Sequence, residues 1–466
     1  MSLREIRGML SELPEGNPLQ LHLDTLSPSK VQLLRDAIDV FERHSSVADE
    51  QPIHICYVPG RIEILGKHTD YGGGPTMVMA LDRGFIIVSS LNGSDEICVW
   101  NADPSFKPCS FPFRPDIEPL KGWATYPATA ARRIAFNFGD HVELEGVDIA
   151  IASDLPPAGG MSSSSALIIG SYFAIAGPNE LAGSELLQTN IHNRIDLAMY
   201  LAVVENGLSF RDLPGHRGVG TFGGSEDHTA ILCCEEGKFS VNYYCPTVPE
   251  CSVAFPEEWV IAVCHSGKHA VKTAEAMQEY NAVSLRLGRV LRAFNEAEGA
   301  EFPTMRDVVK HLTAPESGEV NYGKIRDSLN RAVPTDSEDL FKRFEQFSLE
   351  MTEIMPDAVG ALESKDAELL GSVIDRSHSL SKSHLRNIVE EVDCLQRLAR
   401  EEGAIAASGF GAGFGGSVYA IVRKEGAEGF LERWTARYSE VYPEYSEEIS
   451  SFLTTPSGPL FCSGYS

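Results

Sequence analysis

Apolar positions in this chain fall into short periodic runs. Val31, Leu33, Leu34, Ala37, Ile38 and Phe41 recur at near-helical spacing and predict a helix within the first fifty residues. A strand-like start at Ile53 leads into a loop dense in ionisable groups. Met77 to Ser90 is apolar except around Asp82 and Arg83 and reads as strand and turn. Asn92-Gly93 is a turn signal before another strand at Ile97 to Trp100. Trp123 to Phe136 reads as a helix. Val147, Ile149 and Ile151 alternate with Asp148, Ala150 and Ala152, which is the strand period. A helix-like run follows in Ala166, Leu167, Ile168, Ile169, Tyr172 and Phe173, and a further helix spans about Ile191 to Val204. Trp259 to Cys264 predicts a buried strand, with a helix through Tyr280 to Phe294 after it. Residues 300 to 400 read as successive amphipathic helices, and Val418 to Val422 as a late strand. The mixture predicts an α+β fold.

Between the strand at 147–151 and the helix from Ala166 lies Leu155-Pro-Pro-Ala-Gly159-Gly160-Met-Ser162-Ser163-Ser164-Ser165. Strand, small-residue loop and helix N-terminus together make an anion cradle. The helix dipole and free N–H groups attract phosphate, and small residues let the backbone approach it closely. The plainer alternative is a Ser-rich linker or an elaborated N-cap. Two apolar periodic flanks argue against a flexible linker.

Three other segments carry candidate chemistry. Arg61, Glu63, Lys67, His68 and Asp70 fall within ten residues, bracketed by glycines. Carboxylate and imidazole groups suit sugar hydroxyls, because they accept and donate in fixed directions; a mixed-charge surface loop is the alternative. This is not a Walker loop: Gly66-Lys67 would need a glycine at Arg61, and His68 stands where Ser or Thr belongs. Glu205 ends a helix, where the dipole disfavours a carboxylate, so it is a candidate cation ligand or else a solvated surface acid. Asp227 closes the glycine-rich run from Gly215 and is either an N-cap or a carboxylate placed near a substrate hydroxyl. Gly411, Gly413 and Gly416 match Gly-x-Gly-x-x-Gly, but a strand follows them and no βαβ unit begins, so a dinucleotide site is not indicated.

Composition narrows the partners. The 466-residue chain carries a net charge of −27, which argues against nucleic acid or an anionic membrane as the main partner. No run of about 18 apolar residues occurs, so no membrane span is expected. Met1 to Glu15 lacks a signal-peptide pattern, and a cytoplasmic location is expected. The ten cysteines form no Cys-x-x-Cys pair and are expected to be buried free thiols.

Three ordered motifs resemble the GHMP kinase superfamily, and within it the galactokinase branch. They are Pro59-Gly60-Arg61 with Gly66-Lys67-His68-Thr69-Asp70-Tyr71-Gly72-Gly73, then Gly160-Met161-Ser162-Ser163-Ser164, then Gly411-Ala-Gly-Phe-Gly-Gly416. The resemblance spans about 53 to 425. It implies a two-lobed α+β kinase with an S5-like N-terminal domain and a ferredoxin-like C-terminal domain. The expected division is a helical extension at 1–50, a first domain at 51–240 and a second at 241–466.

The resemblance also implies ATP and magnesium, a small sugar as partner, and a monomer. Asp227 would face the attacking hydroxyl, and Arg61 would assist at the transferred phosphoryl. Gly159, Gly160, Ser162, Ser163 and Ser164 would cradle the phosphates. Read from the residues alone, the aromatics Trp123 and Tyr126 are either flanks of a nucleotide base or, more commonly, plain core. Ser164 and Glu205 would hold magnesium. Lys67, His68, Asp70 and Tyr280 would bind the sugar.

The chain departs from the family pattern in three places. Lys67 stands where the family has an acid, Glu226-Asp227-His228 replaces Met-Asp-Gln, and the stretch from Glu205 to Asp227 is longer. A cation at 67 fits a substrate bearing a carboxylate, such as galacturonate. Equally, Lys67 pairs with Glu63 or another acid and the substrate is galactose.

Overall fold

The computed structural model describes residues 1–14, 16–21, 24–156, 159–221, 223–268 and 274–463, without the side chains of 24–25 and 274–280. The chain opens with helix α1 (Leu3–Glu12), the hairpin β1 (Leu19–Leu21) and β2 (Asp24–Leu26), and helix α2 (Pro28–His44). Strands β3 (His54–Leu65), β4 (Pro75–Leu91), β5 (Glu96–Asn101) and β6 (Cys109–Pro112) come next, then α3 (Thr125–Phe138) and β7 (Val147–Ser153). Helices α4 (Ser163–Ala176), α5 (Glu185–Asn190), α6 (Arg194–Asn206) and α7 (Glu226–Cys233) precede β8 (Lys238–Tyr243) and β9 (Val248–Ala254).

These strands build one large sheet in the order β14-β3-β4-β7-β5-β6, where β14 is Phe461–Cys462. Strands β8 and β9 extend it from β4. The period of two decides what each face meets. Cys56, Val58, Phe85, Ile87, Ile149 and Ile151 turn to the main core with α3, α4 and α6. Ile55, Tyr57, Ile86, Val88, Ala150 and Ala152 turn the other way, onto the buried faces of α1 and α2. The first fifty residues therefore cover the second face of this sheet. No turn interrupts β4: it runs through Asp82 and Arg83, and the register slips there, with Arg61 opposite Ala80 and Pro59 opposite Gly84.

The second sheet begins with β10 (Trp259–His265). Helices α8 (Ala274–Glu298), α9 (Met305–Leu312), α10 (Tyr322–Ala332) and α11 (Ser337–Leu349) then form a unit with its own core around Phe294, Leu329, Phe344 and Phe347. Helices α12 (Met355–Ser364), α13 (Ala367–Leu380) and α14 (Glu390–Glu401) return the chain to β11 (Ala406–Gly409) and β12 (Ser417–Arg423). After α15 (Ala427–Val441) comes β13 (Ser451–Thr454). The order β11-β12-β10-β13, all antiparallel, is the ferredoxin-like β-α-β-β-α-β arrangement. Helices α14 and α15 pack on one face. The other face shares the main core through Ile261, Val263, Tyr419 and Ile421.

Sheet membership runs past residue 240, because β8 and β9 belong to the first sheet. We propose lobes divided near 255, with β14 returning to the first. That return also corrects the reading of the cysteines. Cys462 stands directly opposite Cys56 in the antiparallel pair and forms a disulfide with it. The pair is 406 residues apart in sequence, so spacing could not reveal it. Among the described residues, no helix is long and apolar enough to cross a membrane.

Candidate active site

The three glycine-rich segments meet in one cavity of about 1340 Å³. Arg61 N–H donates to Met161 O at 3.2 Å, which ties β3 to the Ser-rich loop. Ser417 Oγ donates to Gly159 O at 2.7 Å, which ties that loop to the second sheet. Gly411 has φ +79°, and a Cβ there would stand 2.6 Å from Gly160 O. Only glycine meets both conditions.

The N-terminus of α4 opens into this cavity. Ser162 precedes the helix with φ 58°, and its hydroxyl does not cap it. The hydroxyl instead donates to Asp227 Oδ2. The first N–H groups of the helix thus receive no side-chain cap from Ser162, and Ser163 and Ser164, both half-buried, line the cavity beside them. This is the arrangement an anionic phosphate chain requires.

Asp227 lies in the first turn of α7. Arg61 Nε donates to its Oδ1 at 2.5 Å, and Ser165 Oγ lies 3.4 Å from Oδ2. Arg61 Nη1 also donates to Gly160 O at 2.6 Å. Burial pushes the Asp227 carboxyl up, but Arg61, Ser162 and His228 outweigh it and hold the group below the usual aspartate value. Its side chain remains 29% exposed, against 7% for Arg61. A substrate can therefore reach an ionised carboxylate whose cationic partner is fixed beneath it.

The loop after β3 lines another part of the cavity. His68 and Asp70 are buried and line the cavity. Burial lowers the imidazole of His68 to about 4, and its Nε2 lies 3.3 Å from Ala412 O. Burial raises Asp70 to about 7. Glu226 is raised well above the ordinary glutamate value, by burial first and by Glu63 next. A Cβ on Gly224 would collide with the Asp70 carboxylate, so the glycine admits that side chain.

Lys67 is not placed with these residues. It is 2% exposed and does not line the cavity. Its Nζ donates to Glu63 O at 3.0 Å and lies 3.7 Å from Glu63 Oε2. Burial lowers its pKa, while Glu63 and Glu350 act in the opposite sense. Tyr280 lies outside the described side chains.

Glu205 and Ser164 both line the cavity. Glu205 Oε2 is buried without a hydrogen-bond partner, 3.2 Å from His228 Nε2. A buried carboxylate oxygen that takes no hydrogen bond and has an imidazole 3.2 Å away, beside the Ser-rich loop, fits a cation ligand. No group of three or more His, Cys, Asp or Glu among the described residues makes a metal cage. At the far end Trp123 packs edge-on to Phe106, and both line the cavity.

Sequence reasoning missed the support beneath the loop. Arg343 Nη2 donates to His68 O at 2.5 Å, and Gln346 Nε2 donates to Lys67 O at 3.0 Å. Gly66 N–H donates to Glu350 Oε2 at 3.2 Å. Arg343, Gln346 and Glu350 are fully buried. Their spacing of three and four is a polar stripe at helical period, and that was the available signal.

Known proteins are similar to this chain in sequence and fold. The GHMP kinases N terminal domain matches residues 125–209, and the GHMP kinases C terminal domain matches 358–440. The galactokinase galactose-binding signature matches 41–91. The chain thus carries the galactokinase signature together with both GHMP kinase domains. A galactokinase of Dictyostelium discoideum is 24% identical over 502 residues, covering 92% of this chain and 96% of that protein. One of Thermococcus kodakarensis is 26% identical, covering 86% and 97%. The structure of Lactococcus lactis galactokinase complexed with galactose superimposes with TM-score 0.71 at 20% identity, over 90% of this chain and 98% of that one. Methanococcus jannaschii mevalonate kinase does so with TM-score 0.54 at 17% identity, over 88% and 100%. Of these GHMP kinases the last two share the fold, and the galactose-binding signature covers the loop that holds His68 and Asp70.

Proposed function

We propose that this GHMP kinase is an ATP-dependent sugar 1-kinase of galactokinase type. It transfers the γ-phosphoryl of ATP to the anomeric hydroxyl of galactose or a closely related neutral hexose. The observation that carries this reading is the position of Asp227. Its carboxylate is bound on one side by Arg61 and on the other by Ser162, at the mouth of the phosphate cradle.

Phosphoryl transfer passes through a loose transition state, so catalysis is mainly positioning and neutralisation of charge. The N–H groups at the start of α4 hold the phosphate oxygens. Arg61 stays protonated, because Asp227, Glu226 and Glu63 outweigh its burial, and it faces the charge that builds up on transfer. The sugar oxygen forms the new bond to phosphorus as the bond to ADP breaks, and its proton passes to Asp227. Ser164 and Glu205 would hold magnesium with the nucleotide phosphates, where the ion supplies further neutralisation.

A uronic acid as substrate finds less support. The cation that suggested it, Lys67, is committed to Glu63 outside the cavity lining. The acceptor end is lined by Glu63, Asp70, Glu226 and Asp227, with Arg61 as their cation. Another carboxylate there would meet the ionised Asp227, whose cation Arg61 is already engaged.

An ADP-release assay with ATP and a panel of galactose, galacturonate, glucuronate, arabinose and N-acetylated sugars tests this. Turnover of galactose with phosphate on the anomeric oxygen is expected. No turnover on any sugar sinks the kinase reading, and preference for galacturonate replaces it with the uronate reading.

A further inference from the structure

We propose that Glu63 is the residue by which this chain selects its acceptor, its Oε1 binding one sugar hydroxyl other than the one phosphorylated. The inference rests on the sugar-kinase reading above.

Glu63 stands near the end of β3, at the second register shift against β4, between Glu63 and Leu65. Its carboxylate is one of the groups lining the cavity, although its side chain is only 4% exposed. The two oxygens differ. Oε2 accepts from Gly411 N–H at 3.3 Å and has Lys67 Nζ at 3.7 Å. Oε1 takes no hydrogen bond among the described residues. The carboxylate is thus fixed through one oxygen while the other is uncommitted at the cavity wall.

That division has a chemical meaning. A carboxylate oxygen open to the cavity is met by water until a ligand donor replaces it. An ionised carboxylate only accepts, and a sugar hydroxyl is a donor of the right kind. Because the group is held by two elements far apart in sequence, its position is set before the sugar arrives. A site built this way rejects an analogue lacking the hydroxyl far more strongly than an apolar pocket would.

The competing account is that Glu63 is only the counterion of buried Lys67. A cycle of variants and substrates separates the two. The full chain and its Glu63→Gln variant are assayed with ATP and with galactose and its 2-, 3-, 4- and 6-deoxy analogues. In the wild type, one deoxy position is expected to lower kcat/KM by about a hundredfold or more, as the loss of a hydrogen bond to a charged group does. In Glu63→Gln the penalty at that position should shrink to a few-fold while the other positions keep theirs, and KM for ATP should hold. Glu63→Asp, which keeps the charge but withdraws it by one methylene, should shrink the same penalty if Glu63→Gln fails to fold. Penalties unchanged at every position in a folded variant overturn the proposal. So does a wild type with no deoxy penalty above about threefold. A wild type that turns over no sugar overturns the kinase reading and takes this proposal with it; turnover with unmoved penalties overturns this proposal alone.

Discussion

Arg61 Nε lies 2.5 Å from Asp227 Oδ1, a bond between residues 166 apart in sequence. It joins the first glycine-rich segment to the start of α7 and keeps the carboxylate ionised. The proposed role of Asp227 makes a direct prediction. Asp227→Asn should lower turnover by about 10²-fold or more, since proton acceptance is lost while the shape is kept. ATP binding, measured by calorimetry, should change little. Unchanged turnover would remove Asp227 from the chemistry.

Lys67 is predicted to matter for stability before specificity. Lys67→Met leaves the carboxylates of Glu63 and Glu350 buried without their cation. Removing one partner from a buried ion pair typically costs about 3–5 kcal/mol, so the thermal midpoint should fall by several degrees. Adding Glu350→Gln should recover part of the loss. A midpoint equal to that of the wild type would show that Lys67 neutralises nothing.

Glu350 gives the fold a pH signature. Burial raises its pKa from an ordinary 4.5 to about 7. The folded state therefore binds this proton more tightly than the unfolded chain. The stabilisation is fully present below about 4.5 and is lost as pH rises to about 7. Glu350→Gln lacks this loss. The midpoint of the variant should gain on the wild type between pH 4.5 and 7 and hold level above that range. Melting curves across pH check it; a constant difference would mean that the raised pKa is wrong.

Arg343 should act on the sugar and not on the nucleotide. His68 adopts a left-handed backbone, φ 56°, and Arg343 holds its carbonyl. Arg343→Met releases that carbonyl, and one lost charged hydrogen bond is worth about 1.5–3 kcal/mol. KM for the sugar should rise about tenfold or more, with KM for ATP unchanged. Equal rises in both would mark a general loss of fold.

Much of this was legible in the sequence, because local chemistry leaves local patterns. The alternation at 147–152, the apolar run after Ser165 and the run from Val418 to Val422 each predicted their element, and the three motifs meet as their small residues require. What depends on direction was not legible. Glu63 and Lys67 stand four residues apart, and nothing in their order says which one faces the cavity. The amphipathic runs between 300 and 400 predicted helices but not what they would cover, so Arg343, Gln346 and Glu350 passed as ordinary helix positions. Pairings at long range, such as Cys56 with Cys462 and β8 with β4, depend on register, which composition does not carry.

The helices of residues 274–349 have a further consequence through α11. Phe347 lies against Gly72 and Gly74, where an added Cβ would stand 2.8 and 2.9 Å from its ring. Arg343 and Gln346 hold the two carbonyls just before those glycines. The loop of residues 66–74 is thus cast in a mould that a segment some 275 residues further along provides. A loop grafted from a relative would arrive without its mould, so recombination between such kinases can transfer acceptor choice only when residues 66–74 and 343–350 travel together.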